Sequence, residues 1–129
     1  MNSYTLPFAT INILREDIAE VIINDGVEMD LSMVNEYHEF LLSHLKSPFS
    51  LLVNKQNSYA YDFEAQQKVG ALNEINAISV VVYNDLSELA QNALSLNMGT
   101  DVSEKMNIFS DRSEALKRLI KIQDKLDSP

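Results

Sequence analysis

Residues that commonly carry metal or covalent chemistry are sparse in this chain. It has two histidines, His38 and His44, and no cysteine. Because the histidines are six residues apart on one predicted helix, they point to different faces and cannot ligate one metal as an i, i+4 pair does. The absence of cysteine excludes disulfides, thiolate metal sites and cysteine nucleophiles. We therefore predict no histidine- or cysteine-based centre.

The spacing of the glycines and the acidic residues likewise predicts no phosphate-binding loop and no metal site. The three glycines, Gly26, Gly70 and Gly99, lie far apart, whereas loops that cradle phosphate need several close together. The chain also lacks a G-x-S-x-G nucleophile elbow. An acidic cluster at 25–30 does not match the twelve-residue calcium loop, and the favourable position of acids at a helix start explains it better. No cofactor and no metal site are expected.

Polar loops that follow the predicted strands are the better candidates for binding. Ligands of open α/β sheets lie outside the carboxyl ends of the strands, and tyrosines there offer apolar area with a hydrogen-bonding tip. The alternative is a capping loop whose tyrosines only cover the start of a helix. The candidate binding residues are Asn54, Lys55, Ser58, Tyr59, Tyr61, Asn84 and Asp85.

Five strands are predicted to position these loops. Residues 9–14 and 18–23 are apolar runs separated by three polar residues, a spacing that allows only an antiparallel hairpin. Residues 49–53, the β-branched run 78–83 and the short run 106–109 supply the other strands. Four helices alternate with them: from Asp30 to before Pro48, over 62–76, from Asp85 to before Gly99, and from Asp111 onward. Residues 100–105 are expected to form a polar loop.

The order of elements predicts an α/β fold with a mixed five-stranded sheet, in one domain over residues 1–129. The net charge of −9 disfavours nucleic acid and anionic membrane surfaces. No apolar run is long enough to span a membrane and no secretory signal is visible, so a cytoplasmic location is expected. Five cations near the end are predicted to form a solvated helix face, with anion binding as the alternative: Arg112, Lys117, Arg118, Lys121 and Lys125.

The segments FSLLV (49–53), ISVVVY (78–83) and IFSDRSEALKRL (108–119) together resemble STAS-like domains, which occur in sulfate transporters and anti-sigma factor antagonists. In the antagonists, a partner kinase phosphorylates a serine that follows an aspartate at the start of the second helix. Asp62 stands at the position of that aspartate, but Phe63 and Glu64 follow it and Ser58 is the nearest serine. The resemblance therefore implies a fold and a regulatory role without the serine phosphoswitch.

Three classes of function remain open. The first is a non-catalytic binding or regulatory module with a protein partner and a possible homodimer. The second is a carrier of a small apolar ligand or lipid, similar to CRAL-TRIO domains, with a cavity lined by the apolar helix face at 86–94. The third is an enzyme, since acid–base catalysis needs only a few well-placed carboxylates.

Overall fold

The computed structural model describes residues 2–84 and 100–126. The strands in chain order are β1 (Asn2–Leu6), β2 (Ala9–Arg15), β3 (Ile18–Ile23), β4 (Glu28–Met29), β5 (Phe49–Asn54), β6 (Ala60–Tyr61), β7 (Ile75–Val81) and β8 (Met106–Phe109). The helices are α1 (Leu31–His44), α2 (Phe63–Lys68), α3 (Thr100–Lys105) and α4 (Arg112–Leu126). None of these helices has the length and apolar character needed to cross a bilayer.

The main sheet is mixed, with six strands in the order β1-β2-β3-β5-β7-β8. The first three strands are antiparallel neighbours, whereas β3, β5, β7 and β8 pair in parallel. A separate parallel ladder joins β4 to β6. The predicted α/β class is therefore confirmed.

The prediction of five sheet strands is wrong by one. The hairpin of β2 and β3 forms as expected, with Ala9 opposite Ile23, but β1 adds a strand at its outer edge. The sequence of residues 2–6 does not predict this strand, because only Tyr4 and Leu6 are large and apolar. In the structure the stretch is mostly exposed. An edge strand of this kind leaves little hydrophobic signal in the sequence.

The helix predicted over 62–76 ends much earlier, at Lys68. Ile75 and Asn76 instead begin β7, which pairs with β5 from Phe49 onward. Gly70 lies where the chain passes close to α3: a Cβ at this position would stand 2.7 Å from Cγ1 of Val102. The close approach favours glycine at 70, because a side chain there would displace Val102, and glycine is itself a poor helix former.

Two further predictions concern the segment after β7. The helix expected from Asp85 to before Gly99 lies outside the described residues. The loop expected at 100–105 is wrong, because these residues form α3. Polarity alone suggested a loop there, yet Val102 is buried and anchors the short helix.

Aspartates cap two helices at their starts, the predicted one at Asp30 and a second at Asp62. Asp30 precedes α1 and its Oδ1 accepts from the Met33 N–H at 2.9 Å. Asp62 precedes α2 and accepts from the Ala65 N–H at 2.9 Å. Both contacts satisfy backbone donors that the first turn of a helix leaves without partners.

The two faces of the sheet are covered by different helices. On one face, a large apolar core packs against α1 and α2 and includes Phe49, Leu51, Val34 and Leu41. On the other face, a smaller core packs against α4 and includes Leu52, Ala115 and Leu119. Side chains alternate between the faces along each strand, which is why β5 contributes to both cores.

A polar layer lies within the smaller core, beneath the C-terminal half of α4. Gln123 is 1% exposed and joins the helix to several strands. Its carbonyl oxygen accepts from Ser50 Oγ at 2.6 Å and Asn76 Nδ2 at 3.0 Å. Its amide donates to Asp17 Oδ2 at 3.0 Å and the Pro48 carbonyl at 3.0 Å. All four hydrogen-bonding positions of this amide are therefore used.

The expected solvated face of the last helix is correct only for its lysines. Lys117, Lys121 and Lys125 are exposed, but both arginines turn toward the sheet. Arg112 forms a bidentate pair with Glu20 at 2.8 and 3.0 Å. Arg118 donates to the Ile78 carbonyl at 2.8 Å, to Ser79 Oγ at 3.1 Å and to the Lys105 carbonyl at 3.1 Å. These arginines anchor α4.

We expect Gln123→Leu to lower the free energy of unfolding by about 2–4 kcal/mol, because it leaves buried polar groups of Ser50 and Asn76 without their acceptor. Urea unfolding followed by circular dichroism measures this loss. Lys121→Leu on the exposed face of α4 is the control and should change stability by no more than about 0.5 kcal/mol. Equal effects of the two substitutions would show that the polar layer does not anchor the helix.

Candidate functional site

The loop that follows β5 is fastened along its length to the segment that follows β3. Ser58 donates its N–H to Asp25 Oδ1 at 3.0 Å, and its carbonyl accepts from the Gly26 N–H at 2.7 Å. Gly26 has a φ of +78°, a left-handed conformation that favours glycine. Asn57 Nδ2 also donates to the Ile23 carbonyl at 3.0 Å. These hydrogen bonds hold the loop in a fixed position against the segment that follows β3.

The β4–β6 ladder extends this attachment. Glu28 pairs with Ala60 and Met29 with Tyr61. The Asp62 N–H then donates to the Met29 carbonyl at 2.9 Å. These bonds lead the chain directly into the cap of α2, so the acids of the 25–30 cluster lie in a structured segment that supports the loop.

Lys55, Tyr59 and Tyr61 of the predicted site come together within this loop. The Lys55 ammonium lies over the Tyr59 ring, 4.7 Å from its centroid, and 6.0 Å from the Tyr61 centroid. The two phenol oxygens are 3.3 Å apart and the rings meet edge to face, with centroids 5.4 Å apart. The tyrosines are partly buried and pack against the large core.

Burial shapes the ionisation of this cluster. It lowers the pKa of Lys55 to about 8, although attraction to the aromatic rings favours the charged amine. Burial also raises the pKa of Tyr59 well above its usual value, with further contributions from Tyr61 and from Tyr37 of α1. The pKa of Tyr61 is raised by burial as well. The phenols are therefore neutral near neutral pH, when Lys55 is mostly protonated.

A small apolar cavity lies between the sheet and α1, on the face of the sheet that carries the large core. Its volume is about 30 Å³, room for roughly two water molecules. Tyr37 and Tyr61 contribute the phenols of its lining, and the rest is mainly aliphatic: Val21, Leu51, Val53, Ile78 and Val80. An acyl chain or aromatic ring does not fit in a space of this size.

Asn54 faces away from the lysine and tyrosine cluster. It is buried, and its Nδ2 donates to Glu20 Oε2 at 2.9 Å. Its Oδ1 accepts from the Tyr83 hydroxyl at 2.8 Å. Asn54 therefore connects Tyr83 to Glu20, the partner of Arg112 at the start of α4.

Several side chains are exposed in the segments that follow β5, β6 and β7, and we name them the carboxyl-end surface: Gln56, Ser58, Phe63, Tyr83 and Asn84. Phe63 is 67% exposed and Tyr83 52% exposed. Of the predicted binding residues, Ser58 and Asn84 lie on this surface, and Lys55 lies in the loop beneath it. Asp85 lies outside the described residues.

Phe63, Tyr83 and Tyr37 are not among the binding residues that the sequence predicts. In the sequence, Phe63 stands out only because it lacks the hydroxyl group of a serine. Its place immediately after the Asp62 cap was a usable signal, because an aromatic ring in the first turn of a short helix need not reach the core. Tyr83 was assigned to a buried strand, but β7 ends at Val81.

The two histidines of α1 lie in separate surroundings, as their spacing predicts. His38 Nε2 is 3.0 Å from the Val69 carbonyl, beside an open groove of about 390 Å³ between α1 and α2. His44 stacks on Phe40 with centroids 4.0 Å apart. Within residues 2–84 and 100–126, no three His, Asp or Glu side chains converge as metal ligands would.

We expect the stability of the wild-type chain, relative to Lys55→Met, to rise between about pH 8 and pH 10. The folded state releases the Lys55 proton near pH 8, whereas the unfolded chain holds it to higher pH. The unfolded state therefore binds more protons in this window, and the free energy of unfolding increases with pH. Above it, the raised tyrosine pKa values act in the opposite direction.

Urea unfolding at several pH values measures this difference. Its slope should stay below about 1.4 kcal/mol per pH unit, the limit that one proton sets. Lys121→Met, which removes an exposed lysine, is the matched control and should follow the wild-type profile. A Lys55→Met profile parallel to the wild-type one would contradict the burial of the amine.

Comparison of the chain with family models, curated proteins and solved structures finds no match in any of the three. The guide to function is therefore the geometry of its own residues.

Proposed function

We propose that this chain is a non-catalytic binding module of STAS-like fold that recognises a protein partner through the carboxyl-end surface. The observation that carries the proposal is the exposure of two aromatic rings in segments that follow strands, Phe63 after β6 and Tyr83 after β7. Aromatic residues are enriched at protein interfaces because they supply large contact areas with few rotatable bonds.

The contacts that hold these residues in the fold favour recognition of a partner. The Tyr83 hydroxyl donates to Asn54, which holds this ring, and the backbone of Phe63 directly follows the Asp62 cap. A side chain that is already oriented loses little conformational entropy when a partner covers it. Around the rings stand uncharged polar side chains, Gln56, Ser58 and Asn84, which suit the polar rim of an interface.

The alternative of an apolar-ligand carrier has less support. The enclosed cavity beside Tyr37 and Tyr61 has a volume of about 30 Å³, far below the ≈ 300–1,000 Å³ typical of small-molecule pockets. The groove of about 390 Å³ between α1 and α2 is open to solvent and is lined partly by polar side chains, among them Asn35, His38 and Lys68. The helix face that was expected to line a larger cavity, at 86–94, lies outside the described residues. A protein partner, which binds an open surface, does not need such a cavity.

We expect Phe63→Ser combined with Tyr83→Ser to abolish capture of the partner from lysate of the native cell. The expected loss is at least tenfold in retained protein, the factor that about 1.4 kcal/mol of lost burial gives. Quantitative mass spectrometry of proteins retained by the immobilised chain measures it. Circular dichroism checks that the variant remains folded.

The control for this experiment is Leu42→Ser. Leu42 is 44% exposed but lies in α1, away from the carboxyl-end surface, so this variant should retain the partner like the wild-type chain. If the double serine variant and the wild-type chain retain the same proteins in the same amounts, the carboxyl-end surface is not the binding site. Retention of no protein by the wild-type chain would also count against a binding module.

We propose that the module lacks the serine switch of the anti-sigma factor antagonists that it resembles. Phe63 occupies the residue after the Asp62 cap, where those proteins carry the phosphorylated serine. Ser58 lies earlier, in the fastened loop, with its backbone N–H and carbonyl bonded to Asp25 and Gly26. The nearest serine is therefore outside the first turn of the helix, where a phosphate would act on the helix dipole.

We expect an anti-sigma-type serine kinase, incubated with this chain and ATP, to leave its intact mass unchanged. Phe63→Ser supplies a hydroxyl at the acceptor position and is the positive comparison. One phosphate added stoichiometrically to the wild-type chain and mapped to 58–63 would overturn the expectation.

A further inference from the structure

Among the described residues, no strand pairs with the outer edge of β1. β1 pairs only with β2, and it ends the strand order on that side. In an edge strand, alternate residues direct their backbone N–H and C=O groups away from the sheet. Such a row of groups is a template for another strand.

β1 has none of the usual features that prevent such pairing. Natural edge strands are commonly protected by charged residues, proline or a bulge. The five residues of β1, NSYTL, include no charged residue and no proline. The register between β1 and β2 is also unbroken, from Asn2 opposite Ile13 to Leu6 opposite Ala9. The only register shift in this meander lies between β2 and β3.

An aromatic cluster lies beside this edge on the α1 face. The Tyr4 ring meets Phe40 edge to face with centroids 5.3 Å apart, and it meets His44 at 4.8 Å. Phe40 and His44 are stacked on each other, and His44 is exposed. We name these three rings the edge cluster. They provide aromatic contact area next to the open strand.

We propose that β1 pairs antiparallel with β1 of a second copy of this chain, so that the two six-stranded sheets become one continuous sheet. Antiparallel pairing of identical strands is the arrangement that a two-fold axis produces, and each copy then satisfies the open groups of the other.

Charge favours a second copy meeting the chain at this edge. Each copy carries a net charge of −9, which opposes self-association through most of the surface. β1 brings no charge to the contact, so pairing there places no like charges directly opposite each other. A two-fold axis perpendicular to the sheet also keeps both α1 helices on one face, where the two edge clusters flank the same seam.

Sedimentation velocity of the full chain from about 1 to about 200 µM tests the proposal, since a contact of this modest size is expected to give micromolar affinity. We expect a reversible monomer–dimer equilibrium. Ser3→Lys with Thr5→Lys should weaken the dimer at least tenfold, because like charges then face one another across the paired strands. Both side chains are exposed and alternate with Tyr4, so the edge cluster stays intact.

Asn35→Lys with Asn73→Lys is the matched control. It adds the same charge at two exposed positions outside β1 and should leave the dimer at least as strong as the wild type. Circular dichroism at low concentration verifies that both variants fold. A wild-type chain that is monomeric throughout the range, or a dimer that survives the β1 lysines unchanged, would overturn the proposal.

Oxidative crosslinking locates the contact independently of affinity. The natural chain has no cysteine, so Ser3→Cys with Thr5→Cys introduces thiols only on β1. Antiparallel pairing of β1 strands brings these positions opposite their counterparts in the other copy, at the short distances that disulfides need. We expect a covalent dimer after mild oxidation. No more dimer than Asn35→Cys with Asn73→Cys yields would show that copies do not meet at β1.

Discussion

The carboxylate of Glu20 stands inside the sheet, 5% exposed, and an ion in that position must be paired. Burial raises its pKa, but hydrogen bonds from Arg112, Asn54 and Asn12 outweigh burial and hold the pKa below its usual value. Because Arg112 begins α4, this pair fixes the start of the last helix against the sheet. Removing one partner of a fully buried pair costs about 3–5 kcal/mol, an upper bound here since Arg112 is partly exposed.

The same carboxylate reaches the carboxyl end of the sheet. Glu20 accepts from Asn54, and Asn54 in turn accepts from the hydroxyl of Tyr83. The orientation of the exposed Tyr83 ring thus depends on the Glu20–Arg112 salt bridge, which lies on the other side of β5. This arrangement links the packing of α4 to the carboxyl-end surface through a chain of short polar contacts, each of which is buried or partly buried.

The parts of the fold that follow from local signals could be predicted. The β2–β3 hairpin follows from the length of its turn, and the Asp30 and Asp62 caps follow from side-chain chemistry. β1 and the polar layer could not be predicted, because an exposed edge and the partners of Gln123 depend on contacts distant in sequence. For the site, loop position indicated Lys55 and its tyrosines. Polarity alone could not reveal which side chains turn inward, so the sequence did not predict that Phe63 and Tyr83 are exposed.

The short β4–β6 ladder has a mechanical consequence. A loop of polar residues after a strand ordinarily opens on its own, well below the free energy of global unfolding. Here Ala60 and Asp62 donate their backbone N–H groups to the carbonyls of Val27 and Met29, so the loop and the lead into α1 open together as one cooperative unit. A molecule seated on the loop would therefore also restrain the first turn of α1, which it never touches.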